Sequence, residues 1–126
     1  MANSVAGTDS DTSTAYGDLG TVGPSITLPV PSTGRVLITV TAQMVGNASS
    51  TSCYMSFAAS GANTISATDA NAVILAAGSV QRSSATSVLS GLTLGSTTFT
   101  AKYRVTGGGA ANCTFSNRSI MGIPLP

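Results

Sequence analysis

The chain has no histidine, no glutamate and no tryptophan, and charged residues make up only 7% of its 126 positions. Without histidine, neither a Ser-His-Asp triad nor a Cys-His pair can form, and the 2 cysteines of the chain cannot complete a zinc site alone. The sequence therefore predicts no catalytic centre, no metal site and no bound cofactor.

The aspartates do not supply acid–base or metal chemistry either. Asp9 and Asp11 lie in a polar segment without periodicity, while Asp18 and Asp69 are far apart along the chain. A hydrolytic carboxylate pair needs two groups that flank one bond, and calcium needs about six to eight oxygen ligands from a shaped loop. We therefore expect a protein that is not an enzyme, in which "TDSD" is a solvated tail.

The charge balance also argues against nucleic acid and membranes as partners. The formal net charge is +1 and the basic residues are scattered, so the chain has no field that would attract a polyanion. No segment approaches the roughly 20 consecutive apolar residues of a membrane-spanning helix. The start "MANSVAGTDSDTSTAYGD" lacks the basic and apolar regions of an export signal, which predicts a protein that is made and kept in a cytosol until something releases it.

The two cysteines, Cys53 and Cys113, each alternate with apolar neighbours, as buried side chains do. A reducing cytoplasm favours two free thiols. A disulfide is the alternative, and it requires that both cysteines lie on facing strands and are oxidised later.

Alternation of apolar and polar residues is the main structural signal. Residues 35–45, 53–60 and 98–106 each place apolar side chains on one face, which predicts three β-strands. Weaker strand candidates are residues 25–30, where Pro29 indicates an edge, residues 72–78, which also fit one helical turn, residues 83–92, a short stretch around Phe115, and residues 118–123. No β-α-β rhythm is present. The pattern therefore predicts an all-β, antiparallel β-sandwich, jelly-roll-like, with about seven to nine strands.

The predicted domain organisation is simple. Residues 1–14 are expected to form a flexible or extended N-terminal arm, and residues 15–126 a single β-sandwich domain whose regular structure starts near Tyr16. The 42% hydrophobic content relies on alanine, with three Phe, three Tyr and no Trp. Such a core is small, so we expect oligomerisation to bury additional surface.

Three basic residues are candidates for a structural or interface role. Lys102 and Arg104 occupy the polar phase of their strand, and Arg118 begins the last one. We interpret the two arginines as groups that hydrogen-bond carbonyls or aspartates such as Asp18 and Asp69, within the fold or across a subunit boundary. Contact of Lys102 and Arg104 with an external anionic surface is the alternative, and nothing in the sequence favours it.

Tyrosines could provide a platform on which a sugar ring stacks. Tyr103 is in phase with the core residues of its strand, which weakens that interpretation for it. Tyr54 is the tyrosine whose position on a strand predicts exposure. It is therefore the candidate for contact with a glycan.

Four segments in a fixed order resemble a domain of structural proteins from tailed bacteriophages that infect actinobacteria and related hosts. The segments are "TAYGDLGTVGPSITLPVPSTGRVLITVTAQ", "YMSFAASGA", "SVLSGLTLGSTTFTAKYRVTGG" and "TFSNRSIMGIPL", and the match spans about residues 13–126. In those phages the domain is often the last module of tail or minor virion proteins. The resemblance implies a virion component with a compact β-sandwich, trimeric in the manner of tumour-necrosis-factor-like and complement-like jelly rolls. It carries over no catalytic residue.

The resemblance also implies a function. The sequence is almost the domain alone, without a fibre shaft, which favours a capsid decoration or cementing protein that binds the major capsid protein or other virion subunits as a homotrimer. The alternative is a tail-fibre or minor tail domain that contacts host surface glycans. The expected location is the virion, and the sequence does not distinguish head from tail.

Overall fold

Two antiparallel sheets pack face to face in the computed structural model, which describes residues 1–76 and 78–126. The strands are β1 (Ala2–Val5), β2 (Asp9–Asp11), β3 (Ser25–Val30), β4 (Val36–Gly46), β5 (Ser52–Gly61), β6 (Val73–Leu75), β7 (Gln81–Leu89), β8 (Gly95–Thr106) and β9 (Cys113–Pro124). One 3₁₀ turn, Asp69–Asn71, precedes β6. In the described part of the chain, no helix has the length and apolar character needed to cross a membrane.

The order of the strands is that of a jelly roll. Sheet A has the order β1-β9-β4-β7, with β2 also paired to β9, and sheet B has the order β3-β8-β5-β6. From β3 to β5 and again from β7 to β9, consecutive strands alternate between the sheets, as in double-sheet jelly rolls. The predicted all-β antiparallel sandwich is confirmed.

Strict alternation of burial shows why these segments are strands. Along β4, Val36, Ile38 and Val40 are fully buried, while the residues between them are partly exposed. β-branched side chains suit the half-buried surface of a pleated strand. The buried aromatic side chains fill the space between the sheets, and the ring centroids of Tyr103 and Phe115 lie 4.9 Å apart. Each such buried side chain contributes roughly 1.5–3 kcal/mol through removal from water.

Two of the weaker strand predictions have clear outcomes. Pro29 lies in β3, an edge strand of sheet B, as predicted. Of the ambiguous residues 72–78, Val73–Leu75 form β6, and the 3₁₀ turn lies just before them. Residue 77 lies outside the described residues.

The last strand is one continuous element, whereas the sequence predicted a short strand around Phe115 and another from residue 118. The ladder between β4 and β9 shifts register so that Asn117 and Arg118 stand opposite Ala42, which is a β-bulge. Asn117 adopts φ 47°, a left-handed conformation that asparagine tolerates well. The extra residue changes the phase of the strand, so Phe115 and Arg118 both point into the core.

The N-terminal segment is extended and paired. β1 and β2 both form antiparallel ladders with β9, so the prediction that regular structure starts near Tyr16 is wrong. Polar residues without periodicity give no strand signal by themselves. Here the free edge of β9 supplies the hydrogen-bond partners.

A disulfide joins the two sheets, so the preference for free thiols is wrong. Cys53 lies on β5 of sheet B and Cys113 on β9 of sheet A, with their Cα atoms 5.7 Å apart. Both side chains are fully buried. The preference for thiols rested on the expected cytoplasmic compartment. The fold instead provides the facing strands that the alternative required.

Candidate interaction surfaces

The outer face of sheet B carries a cluster built around Arg104. Its Nε donates to Oδ1 of Asp69 at 3.0 Å and its Nη2 donates to Oδ2 at 2.6 Å, which makes a bidentate ion pair. The guanidinium lies 4.2 Å from the ring centroid of Tyr54 and 5.5 Å from that of Tyr16. The Tyr16 hydroxyl donates to the same carboxylate at 2.6 Å.

The contacts in this cluster shift the pKa values of three of its side chains. Hydrogen bonds from Arg104 and Tyr16 hold the pKa of the Asp69 carboxyl below its usual value. Burial and the neighbouring carboxylate raise the pKa of Tyr16, and the ion pair raises that of Arg104. The cluster is therefore fixed in one charge state, with a neutral tyrosine, an anionic carboxylate and a cationic guanidinium.

The same cluster fastens residues 13–18 to sheet B. Arg104 Nη1 donates to the Thr14 carbonyl at 3.2 Å, and Lys102 Nζ lies 2.6 Å from Oδ1 of Asp18. The two hydrogen bonds from Arg104 to Asp69 agree with the interpretation of Arg104 as a partner of an aspartate. Because the Arg104 guanidinium lies over the rings of Tyr54 and Tyr16, neither ring presents that face for a sugar to stack on.

Arg118 is placed differently, inside the sandwich. Its side chain is fully buried, and Nη2 lies 2.8 Å from Oδ2 of Asp9. Nη1 donates to the carbonyls of Thr21 and Gly23 at 3.3 and 3.4 Å. Carbonyl and aspartate partners were predicted, but Asp9 was not among the aspartates named, because its segment looked like a solvated tail. A fully buried guanidinium needs a counterion. The sequence does not show that Arg118 is buried, because the bulge that turns its side chain inward is set by pairing with β4.

Next to Arg118 lies a buried tyrosine whose ionisation can be tested. Burial raises the pKa of Tyr103 from 10.0 to about 12, and its hydroxyl donates to the Gly23 carbonyl at 2.8 Å. A raised pKa in the folded state means that folding favours the neutral phenol. We therefore expect the free energy of unfolding to decline as pH rises from about 10 to about 12, where the unfolded chain ionises first.

Denaturant unfolding across this pH range checks the expectation. The decline should be shallower in Tyr103→Phe than in the natural sequence, because the variant has no phenol at this site. The variant also loses one hydrogen bond, so the comparison concerns the slope and not the absolute stability. Equal slopes in the two proteins would contradict the assignment.

The outer face of sheet A, formed by outward side chains of β9, β4 and β7, is almost uncharged. Register places Ile123, Leu37 and Val88 in one cross-strand row, with Met121 beside Ile123. Val88 is 54% exposed, and Met121 and Ile123 are each 44% exposed. Arg82, at the opposite end of β7, is the one charged side chain on these three strands of the face. We call the four apolar residues the apolar corner.

Hydroxyl pairs cover the middle of this face. The Thr39 and Thr86 hydroxyls lie 2.9 Å apart, and those of Thr41 and Ser84 lie 2.7 Å apart. Each hydroxyl already has a hydrogen-bond partner across the strands. Covering the pairs with another surface therefore leaves one hydroxyl hydrogen of each pair, and not two, that needs an acceptor.

Two clefts flank the glycine-rich loop at residues 107–111. Their volumes are about 420 and 310 Å³, within the range of small-ligand sites. Both are lined without a charged side chain, and the polar atoms of Asn47, which borders both, are occupied by Ala110, Thr51 and Asn112. Neither cleft therefore has a charged side chain to orient a ligand.

Among residues 1–76 and 78–126, no group of three His, Cys, Asp or Glu side chains comes together as a metal site. No protein-family model matches the chain, and no curated protein is a significant match to it. The resemblance to phage virion domains therefore stays a prediction from the sequence. The candidate sites are the outer surfaces of the two sheets.

Proposed function

We propose that this chain is a non-catalytic structural protein of a bacteriophage virion, a capsid decoration protein that binds the outer head surface as an oligomer. The observation that supports it is the outer face of sheet A, which is nearly free of charge and exposes the apolar corner. The resemblance of residues 13–126 to phage virion domains supplies the biological setting.

The outer face of sheet A has the chemistry of a surface that another protein can cover. Burying an unpaired charge is costly, and the centres of protein interfaces are depleted of charged residues. Here Arg82 is confined to one end, and the hydroxyls in the middle are paired with each other. Contact with a capsid subunit would remove the exposed apolar side chains of Val88, Met121 and Ile123 from water.

Sheet B fits the opposite role, as the side that faces solvent. The Lys102–Asp18 and Arg104–Asp69 ion pairs lie on its outer side and remain partly exposed. Each charge there is neutralised by a neighbour in the same chain. The pairs hold the N-terminal residues in place and leave no excess charge to attract an external polyanion.

Attachment through such a face benefits from several copies. The apolar corner consists of four side chains, a small part of the roughly 800 Å² that each partner contributes to a stable interface. An oligomer that spans a junction of capsid subunits binds through several faces at once, and each further contact is then intramolecular. This multivalency explains how a small module could reinforce a capsid.

Binding of purified protein to particles that lack it tests the proposal. We expect Met121→Glu/Ile123→Glu to bind at least about tenfold more weakly than the natural sequence, because both carboxylates would have to be desolvated. The matched control is Ser60→Glu/Thr64→Glu, which adds the same charge at exposed positions outside sheet A. Bound protein is measured by sedimentation of the particles followed by mass spectrometry.

Two results would contradict the proposal. One is equal binding by the two double variants, and the other is failure of the natural sequence to bind the particle.

Adsorption of the phage to host cells in the presence of excess purified protein addresses the tail alternative. Blocked adsorption, without binding to heads, would support a receptor-binding domain in place of a decoration protein.

A further inference from the structure

We infer that β7 is the contact through which two copies of this chain pair, edge to edge, as an antiparallel two-fold dimer. β7 (Gln81–Leu89) forms one edge of sheet A, and among the residues that the structure describes its backbone pairs with β4 alone. An edge strand presents a row of N–H and C=O groups that lack a protein partner, and another strand can bind to them.

The other edges of the two sheets are short or interrupted. β6 has 3 residues, β1 has 4 and β2 has 3. β3 contains Pro29, which has no N–H to donate. β7 has 9 residues without proline or an acidic side chain, and Arg82 is its single charge. Among the described edge strands, β7 is therefore the one that is long and lacks the features that protect natural edge strands from pairing.

The sequence of β7 is compatible with itself in the antiparallel register centred on Ala85. In that register all positions from Gln81 to Leu89 pair, and Ala85 lies opposite the partner's Ala85. On the outer face, Ser84 lies opposite the partner's Thr86, and Thr86 opposite the partner's Ser84. The hydroxyl pairs that already join β4 to β7 would then continue across the two-fold axis.

Charge and size also permit this register. Arg82 lies opposite the partner's Val88, and the two Arg82 positions are separated by about 20 Å along the strands. That distance exceeds the screening length of about 8 Å at physiological salt, so the like charges barely repel. On the inner face the opposed side chains near the axis are alanine and serine, which are small and only half-buried in the single copy. The side chains of β7 itself therefore place no bulky group at the axis.

A second copy suits this edge because it supplies a strand of the same length with uncharged side chains at the axis. The pairing joins sheet A of one copy to sheet A of the other in one continuous sheet, and it places their outer faces side by side. It gives a dimer, whereas the sequence resemblance implies a trimer. We infer this pairing for the chain itself, whether or not the protein binds a capsid.

Charge placed on both sides of the axis tests the inference. In Ser84→Lys/Thr86→Lys, each lysine would face a lysine of the partner, although both positions are exposed in the single copy. We expect the apparent dissociation constant of the dimer to rise at least about tenfold. Ser84→Glu/Thr86→Glu should show the same loss. An equimolar mixture of the two variants should form a heterodimer, because each lysine then faces a glutamate.

The measurement is sedimentation equilibrium on the full chain with its disulfide intact. Ser60→Lys/Thr64→Lys, at exposed positions away from sheet A, is the control and should remain dimeric. A natural sequence that is monomeric or trimeric at micromolar concentration would overturn the inference, as would a dimer insensitive to the lysines or a mixture that stays monomeric. Met121→Glu/Ile123→Glu should still dimerise, so that a failure to bind particles is read separately from a failure to pair.

Discussion

Replacing Cys53 and Cys113 together with alanine is expected to lower the free energy of unfolding by about 4 kcal/mol. The disulfide closes a loop with a sequence separation of 60 and ties β5 of sheet B to β9 of sheet A. Without the bond, the unfolded chain gains the conformational freedom that this loop closure removes. A loss of this size is a large part of the stability of a domain this small.

Denaturant unfolding with and without reductant measures this effect and supplies its control. The natural sequence should lose stability when the reductant has access to the unfolded chain, whereas the double variant should be insensitive to reductant. Cys53→Ala alone should lose nearly as much as the double variant, since either change removes the bond. An oxidised natural protein no more stable than the double variant would contradict the structural role of the disulfide.

The substitution Asp9→Asn is expected to cost about 3 kcal/mol, because it leaves a buried guanidinium without its counterion. Arg118 is fully buried, and the Asp9 side chain beside it is 22% exposed. The asparagine side chain would keep the shape and one hydrogen-bond acceptor but lose the negative charge. β2 should also loosen from β9, since Asp9 is one of the 3 residues that form it.

Asp11→Asn is the matched control on the same strand. The Asp11 carboxylate accepts a hydrogen bond from the Ser13 amide and forms no ion pair with any described residue. We expect this substitution to change stability by less than about 1 kcal/mol. Denaturant unfolding gives the energies, and amide exchange at residues 2–11 reports the loosening. Equal losses in the two variants would show that Arg118 does not depend on Asp9.

The strands that could be predicted from the sequence are those that alternate on their own. β4 and β8 each carry a run of apolar residues at every second position, so one face must be buried whatever the partner strand is. Pro29 marked an edge because a missing N–H is a local property. Fold class followed from these strands, since no helical period competed with them.

Features that depend on distant partners could not be predicted. The residues of β1 and β2 become strands only because β9 offers them an edge. The bulge at Asn117 is set by pairing with β4, and it interrupts the alternation that sequence inspection relies on. The disulfide required that Cys53 and Cys113 lie on facing sheets, which is a property of the topology.

Some features of the candidate surfaces could be predicted from the sequence and others could not. The polar phase of β8 showed that Lys102 and Arg104 point outward. Asp69 pairs with Arg104, one of the two arginines for which it was named, whereas Asp18 pairs with Lys102 and with neither arginine. The stacking of Arg104 on Tyr54 depends on the register between β5 and β8. The uncharged face of sheet A emerges only when the outward residues of β9, β4 and β7 are brought side by side.

Three-dimensional imaging of the intact phage particle by electron cryomicroscopy tests the proposed function most directly. The proposal predicts repeated density for this chain on the outer surface of the head, with sheet A turned toward the capsid subunits and sheet B toward solvent. Density confined to a few copies at the tail tip, or a particle that lacks the chain altogether, would contradict it.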